Sequence, residues 1–219
     1  MYFTAGNQVF NQTPIYSSNG TDENTNTVVS FLSEHNRAII TAMTATDIEA
    51  LRGTTSSIEF QGKLYFTSTY DATAGNEIWV YDGTTASLLI DLTPGTGGLQ
   101  SNVIEMMVFA GQLYFVARSD TSGVELWSYD GVSDPTLIDL NIGAGSSTPR
   151  DLTIVGNQML FYTNPSNGVY EFWTTDGVNA PTLIQGSFQH FSDLTVAGTF
   201  AYFVSQNDGN GIELWQWAL

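Results

Sequence analysis

The 219 residues suffice for one well-packed all-β domain, and the lack of cysteine excludes a disulfide framework, thiol catalysis and thiolate metal sites. Twenty-two acidic residues against five basic ones give a net charge of −17, which repels nucleic acid and anionic lipid, so neither is expected as a partner. Hydrophobic residues at 42% and aromatics at 13% argue against a disordered acidic tail, yet no apolar run reaches the ~18 residues of a membrane-spanning helix.

The chain opens on a short strand, Met1-Tyr2-Phe3, with no charged region and apolar core before it, so a secretory signal is expected to be absent or already removed. That strand recurs as Leu64-Tyr65-Phe66, Leu113-Tyr114-Phe115, Met159-Leu160-Phe161 and Ala201-Tyr202-Phe203. Each copy is followed by an aromatic-centred strand: Pro14-Ile15-Tyr16, Glu77-Ile78-Trp79, Glu125-Leu126-Trp127, Glu171-Phe172-Trp173 and Glu213-Leu214-Trp215. Counted between the Phe residues, the spacings are 63, 49, 46 and 42. The last three match propeller blades of four strands. The long first spacing locates an insertion at about 22–36, on the rim of the first blade. Its centre, 27–32, is apolar enough for an extra strand, and Ala38-Ile39-Ile40-Thr41 aligns with Leu88-Leu89-Ile90-Asp91 as the outer strand. Residues 44–52 are the one stretch that reads as a helical turn, capped by Thr44 or Thr46.

The third repeat reads most completely. Strands at 103–109 and 113–117 flank Ala110-Gly111, a third lies at 125–129, and after Asp130-Gly131 a fourth lies at 136–140. The chain begins at a second strand and stops after a third, which leaves eighteen strands for five blades. Either the sequence is cut from a longer protein, or another subunit supplies the missing strands.

These residues resemble the bacterial repeat family named for its ELWxxDGT motif. The matching stretches are Glu77-Ile78-Trp79-Val80-Tyr81-Asp82-Gly83-Thr84, Glu125-Leu126-Trp127-Ser128-Tyr129-Asp130-Gly131 and Glu171-Phe172-Trp173-Thr174-Thr175-Asp176-Gly177. The linkers that begin Asp91-Leu92-Thr93-Pro94 and Asp139-Leu140-Asn141-Ile142 are also similar. The resemblance covers nearly the whole chain outside the insertion. It implies a β-propeller of a secreted or surface protein, with no shared catalytic residues. The first repeat departs from it at Pro14 and Tyr16, and the last lacks the Asp-Gly turn.

Against this repeat few residues stand out for chemistry. The set Trp79, Trp127, Trp173 and Trp215 could be a sugar-stacking row, but recurrence in register favours packing between blades. Trp217 lies outside the register, on the same sheet face as Trp215, and is the better candidate for an interface or ligand contact. Glu77, Glu125, Glu171 and Glu213 recur once per blade and so form no unique catalytic pair. Asp82, Asp130 and Asp176 suit turn formation, and none sits in a calcium loop. Ten residues before each second-strand Phe lie Ser56, Glu105, Asp151 and Asp193. At the starts of inner strands, Glu105, Asp151 and Asp193 would meet at one mouth of an axial channel and bind a cation such as calcium, or carry raised pKa values. The alternative is that each acid caps its own loop, with Arg150 neutralising one. His35 and His190 have no partner at metal-ligand spacing. Asn11 and Asn19 begin glycosylation sequons.

The expectation is a single all-β domain over 1–219, a five-bladed β-propeller with incomplete first and last blades. Its expected role is a non-catalytic extracellular or cell-surface module, structural or adhesive, that assembles with copies of itself into filaments. A module binding cell-surface glycans is the alternative, with Tyr70 or Trp217 as platforms. A carboxylate-based hydrolase using Glu105 or Asp151 comes third.

Overall fold

The computed structural model describes residues 2–4, 14–18, 25–30, 57–68, 77–94, 103–166, 168–206 and 211–218. Regular structure among these residues is entirely β, eighteen strands in five antiparallel sheets, with no helix. The first sheet holds β1 (Tyr2–Thr4), β2 (Pro14–Ser18) and β3 (Thr25–Ser30). The second holds β4 (Ser57–Phe60), β5 (Lys63–Ser68), β6 (Glu77–Tyr81) and β7 (Ala86–Ile90). The third holds β8 (Glu105–Phe109), β9 (Gln112–Ser119), β10 (Gly123–Tyr129) and β11 (Thr136–Ile138). The fourth holds β12 (Arg150–Val155), β13 (Gln158–Ser166), β14 (Val169–Thr175) and β15 (Thr182–Phe188). The fifth holds β16 (His190–Ala197), β17 (Phe200–Gln206) and β18 (Ile212–Ala218). In every sheet the strands pair in chain order. The chain falls into two compact units, Met1–Ile104 with the first two sheets and Glu105–Leu219 with the other three.

The sequence repeat is a repeat of register. Phe66 lies opposite Trp79, Phe115 opposite Trp127, Phe161 opposite Trp173, Phe203 opposite Trp215, and in the first sheet Phe3 lies opposite Tyr16. A slip of one residue would move every side chain to the other face, so one aromatic pair per sheet, at the same point of the repeat, pins the pairing. Turn chemistry agrees with it. Gln61-Gly62 and Ala110-Gly111 close two-residue hairpins with φ of 50° and 76°, and of 48° and 75°. Positive φ at both positions is the primed turn whose twist matches that of the strands.

The first sheet places the apolar insertion. The inserted segment is a strand, but β3 pairs directly with β2, where the outer strand stands in the next three sheets. Residues 38–41, expected as that outer strand, lie outside the described residues, as do the helical turn at 44–52, Asn11, Asn19, His35, Ser56 and Tyr70.

Within the second unit β12 lies against both β8 and β16, so successive sheets approach through their first strands. The core between the fourth and fifth sheets is aromatic. Phe172, Phe188, Phe191 and Phe203 are buried together with Val155, Leu160 and Ala201, and Phe191 stacks on Phe203 at 4.5 Å between ring centroids. Each such ring removed from water contributes about 2–3 kcal/mol of apolar burial, which makes this cluster the main adhesive between the two sheets.

Candidate functional site

The recurring glutamates are structural anchors. Glu125, on β10, is fully buried and accepts from the amides of Leu140 at 3.1 Å and Ser147 at 2.6 Å, and from the Ser147 hydroxyl. Burial raises its pKa, against the hydrogen bonds from Ser147 and Leu140 that pull it down. Glu77, on β6, is likewise buried and accepts from the Leu92 amide at 3.3 Å and the Thr93 hydroxyl at 2.8 Å. Both carboxylates therefore hold the start of the linker that leaves the outer strand. The linker after β11 is bound on both sides, since Thr148 N donates to Val124 O at 3.0 Å and Asn164 N to Ser147 O at 2.8 Å. It passes so close to Gly123 (φ 68°) that a Cβ there would stand 2.5 Å from Gly145 O. Glu171 accepts from Thr163 Oγ1 and Trp173 Nε1, each at 3.2 Å, and Glu213 is exposed, so the clasp belongs to the second and third sheets.

The Asp-Gly turns close on themselves. Asp82 Oδ1 accepts from the amides of Thr84 and Thr85, Asp130 Oδ1 from Val132 and Ser133, and Asp176 Oδ1 from Val178 and Asn179. The Thr84 hydroxyl bond foremost holds Asp82 at about 2, and the Asn179 and Val178 amides hold Asp176 at about 2. The tryptophans pack. Trp127 stacks on Phe115 at 6.2 Å and donates to Ala117 O, while Trp215 stacks on Phe203 at 6.4 Å and meets Phe188 edge-on. Trp217 turns one edge to Phe172 at 6.4 Å and stays 41% exposed.

Glu105, Asp151 and Asp193 fall in a row along the first strands of three consecutive sheets. Asp151 and Asp193 have left-handed backbones, φ 55° and 58°, each inside a bulge that places two residues opposite one. The bulge of β12 turns the Leu152 amide toward the preceding sheet, where it donates to Glu105 Oε1 at 2.8 Å. Burial pushes Glu105 up to about 7, with Asp151 adding repulsion. Asp151 is itself raised, by burial first and then by Asp193. The acids thus act on one another in sequence, with Arg150 opposing at the first two. Among the described residues no three acidic or histidine side chains are placed to hold one metal ion. Asp193 accepts from the Ser192 hydroxyl at 2.8 Å, and that hydroxyl is 3.2 Å from His190 Nε2. In this trio the carboxylate binds the hydroxyl instead of orienting the imidazole, which is not the geometry that activates a serine.

Asp-Leu-Thr recurs at 91–93, 151–153 and 193–195, once in a clasp and twice in a bulge. The residues that follow separate the two uses: Pro94 ends the first copy, whereas Ile154-Val155 and Val196-Ala197 continue the other two as strands.

No family model and no curated protein matches the chain. Among solved structures it is similar to two computationally designed proteins. Ika8 is 15% identical with a TM-score of 0.43 over 97% of this chain and 57% of that one. Ika4 is 18% identical with a TM-score of 0.41 over 74% of this chain and 90% of that one. The chain thus spans little more than half the length of Ika8, and likenesses at these scores carry no argument about role.

Proposed function

We propose that the chain is a five-bladed β-propeller serving as a non-catalytic extracellular module, structural or adhesive, that assembles with copies of itself by strand addition at β18. The observation that carries this reading is the edge of the fifth sheet. β6, β10 and β14 each have a strand on both sides, whereas β18 pairs with β17 alone among the described residues. An edge strand with unpaired backbone groups is a template for another strand unless it is blunted, and β18 carries neither proline nor lysine. The other sheets set the register: Thr136, Leu137 and Ile138 stand opposite Ser128, Trp127 and Leu126. A strand donated by a second copy would stand likewise opposite Gln216, Trp215 and Leu214.

The blade reading is supported by the register that the antiparallel sheets share, with Phe66, Phe115, Phe161 and Phe203 opposite Trp79, Trp127, Trp173 and Trp215. The fifth sheet departs from the others in leaving Leu214 72% exposed, where Leu126 and Phe172 at the same point of the repeat are fully buried. The non-catalytic reading rests on where the recurring acids go: Glu77 and Glu125 into linker clasps, Asp82, Asp130 and Asp176 into their own turns, and Glu171 onto Thr163 and Trp173 of its own sheet. The extracellular placement rests on composition, acidic and poor in lysine. A head-to-tail contact that does not close propagates into a filament. Electron microscopy of native material tests this, with filaments or discrete oligomers as the expected result and single separate particles as the contrary one.

A further inference from the structure

The junction between the first strands of the second unit joins a carboxyl of one sheet to a backbone bulge of the next. Glu105 begins β8 opposite Val116 of β9, so its own sheet offers it no charged neighbour in register. From β12 it faces the Leu152 amide at 2.8 Å, the Asp151 carboxylate and the Arg150 guanidinium. From β13 the Tyr162 hydroxyl approaches the same charges, and from β16 Asp193 faces Asp151. Tyr162 also packs on Phe191 at 4.7 Å, which ties this polar row to the aromatic core below it. One cation, Arg150, therefore faces two carboxyls, Glu105 and Asp151, while Asp193 adds its charge against Asp151, at an interface between packed sheets where removal from water strengthens repulsion.

We propose that this row is a pH-responsive joint between consecutive sheets: protonation of Glu105 strengthens the β8–β12 junction, and ionisation weakens it. The ionised carboxylate is the better acceptor for Leu152, but burial and Asp151 outweigh that gain, since Glu105 titrates near 7 despite its amide donors. The sign follows. A carboxyl raised on folding from 4.5 to about 7 contributes most below the lower value and loses that contribution as pH rises through the upper one. Glu105→Gln keeps an oxygen acceptor for the Leu152 amide and can never ionise.

Thermal melting of the full chain between about pH 5 and pH 8 tests the joint. The wild type is expected to melt lower at the alkaline end. Glu105→Gln should melt several degrees above it there and level with it near pH 5. Parallel profiles for the two proteins would overturn the proposal. Carbon-13 NMR titration of the wild-type Glu105 carboxyl gives a second reading that needs no variant. A midpoint near neutrality, falling in Asp151→Asn, is expected, and a midpoint in the ordinary glutamate range would also overturn it.

Discussion

A buried glutamate is costly unless its oxygens are engaged, and Glu125 engages both, with Leu140 and with Ser147. Removing it leaves two amides and a hydroxyl without an acceptor inside the protein. Glu125→Ala should therefore destabilise by about 3 kcal/mol or more at neutral pH, since each abandoned buried donor costs ~1–3 kcal/mol. Urea denaturation measures this, and a loss below about 1 kcal/mol would mean that the linker is held by something else. Glu213, exposed on β18, makes the internal control, because its replacement should change little. These two residues look alike in the sequence. What separates them lies 15 and 22 residues away in the linker after β11, and no local pattern announces it. The Asp-Gly turns were legible for the opposite reason, since each aspartate bonds to amides two and three residues on.

At the scale of the element, the strands were readable because an aromatic pair and a tight turn recur together, and both are local facts. The four strands read for the third repeat correspond to β8 to β11, with ends that differ by up to two residues. Bulges were not readable, because placing two residues opposite one is a property of the pair of strands. The first sheet shows the same limit. Composition marks the insertion as apolar enough for an extra strand, but only pairing shows that Thr25–Ser30 lies directly against Pro14–Ser18. Gly177 tests how the turns serve packing between sheets. It has φ 79°, Gln112 Nε2 donates to its carbonyl at 3.2 Å, and a Cβ on it would collide with the Cβ of Ala110. Gly177→Ala should cost about 2–4 kcal/mol, by strain in the left-handed region and by overpacking against the third sheet. Gly168, with a similar φ of 85° but open space around its Cβ position, should lose only the strain. If both substitutions cost the same in denaturation, the close approach of the Asp176 turn to Ala110 contributes nothing.

Across the whole molecule the titrating groups pull stability in opposite directions. Glu105, Glu125 and Asp151 are raised, so each contributes more as pH falls toward its ordinary value. Asp82, Asp130 and Asp176 are lowered, so their contribution is present above the ordinary value of 3.8 and is lost as pH falls below it, through about 2 for Asp82 and Asp176. The two sets leave a maximum near pH 4 to 5, helped by partial discharge of the −17 net charge. Melting curves from about pH 2 to pH 8 should rise and then fall, and a melting temperature that climbs steadily to pH 8 would contradict the assignment of the buried carboxyls. Association through β18 is tested by sedimentation of the purified chain over a wide concentration range. The mass is expected to grow with concentration and to return to monomer in Gln216→Lys, where a charge on the edge strand opposes pairing. A folded wild-type chain that stays monomeric at the highest concentration would contradict it.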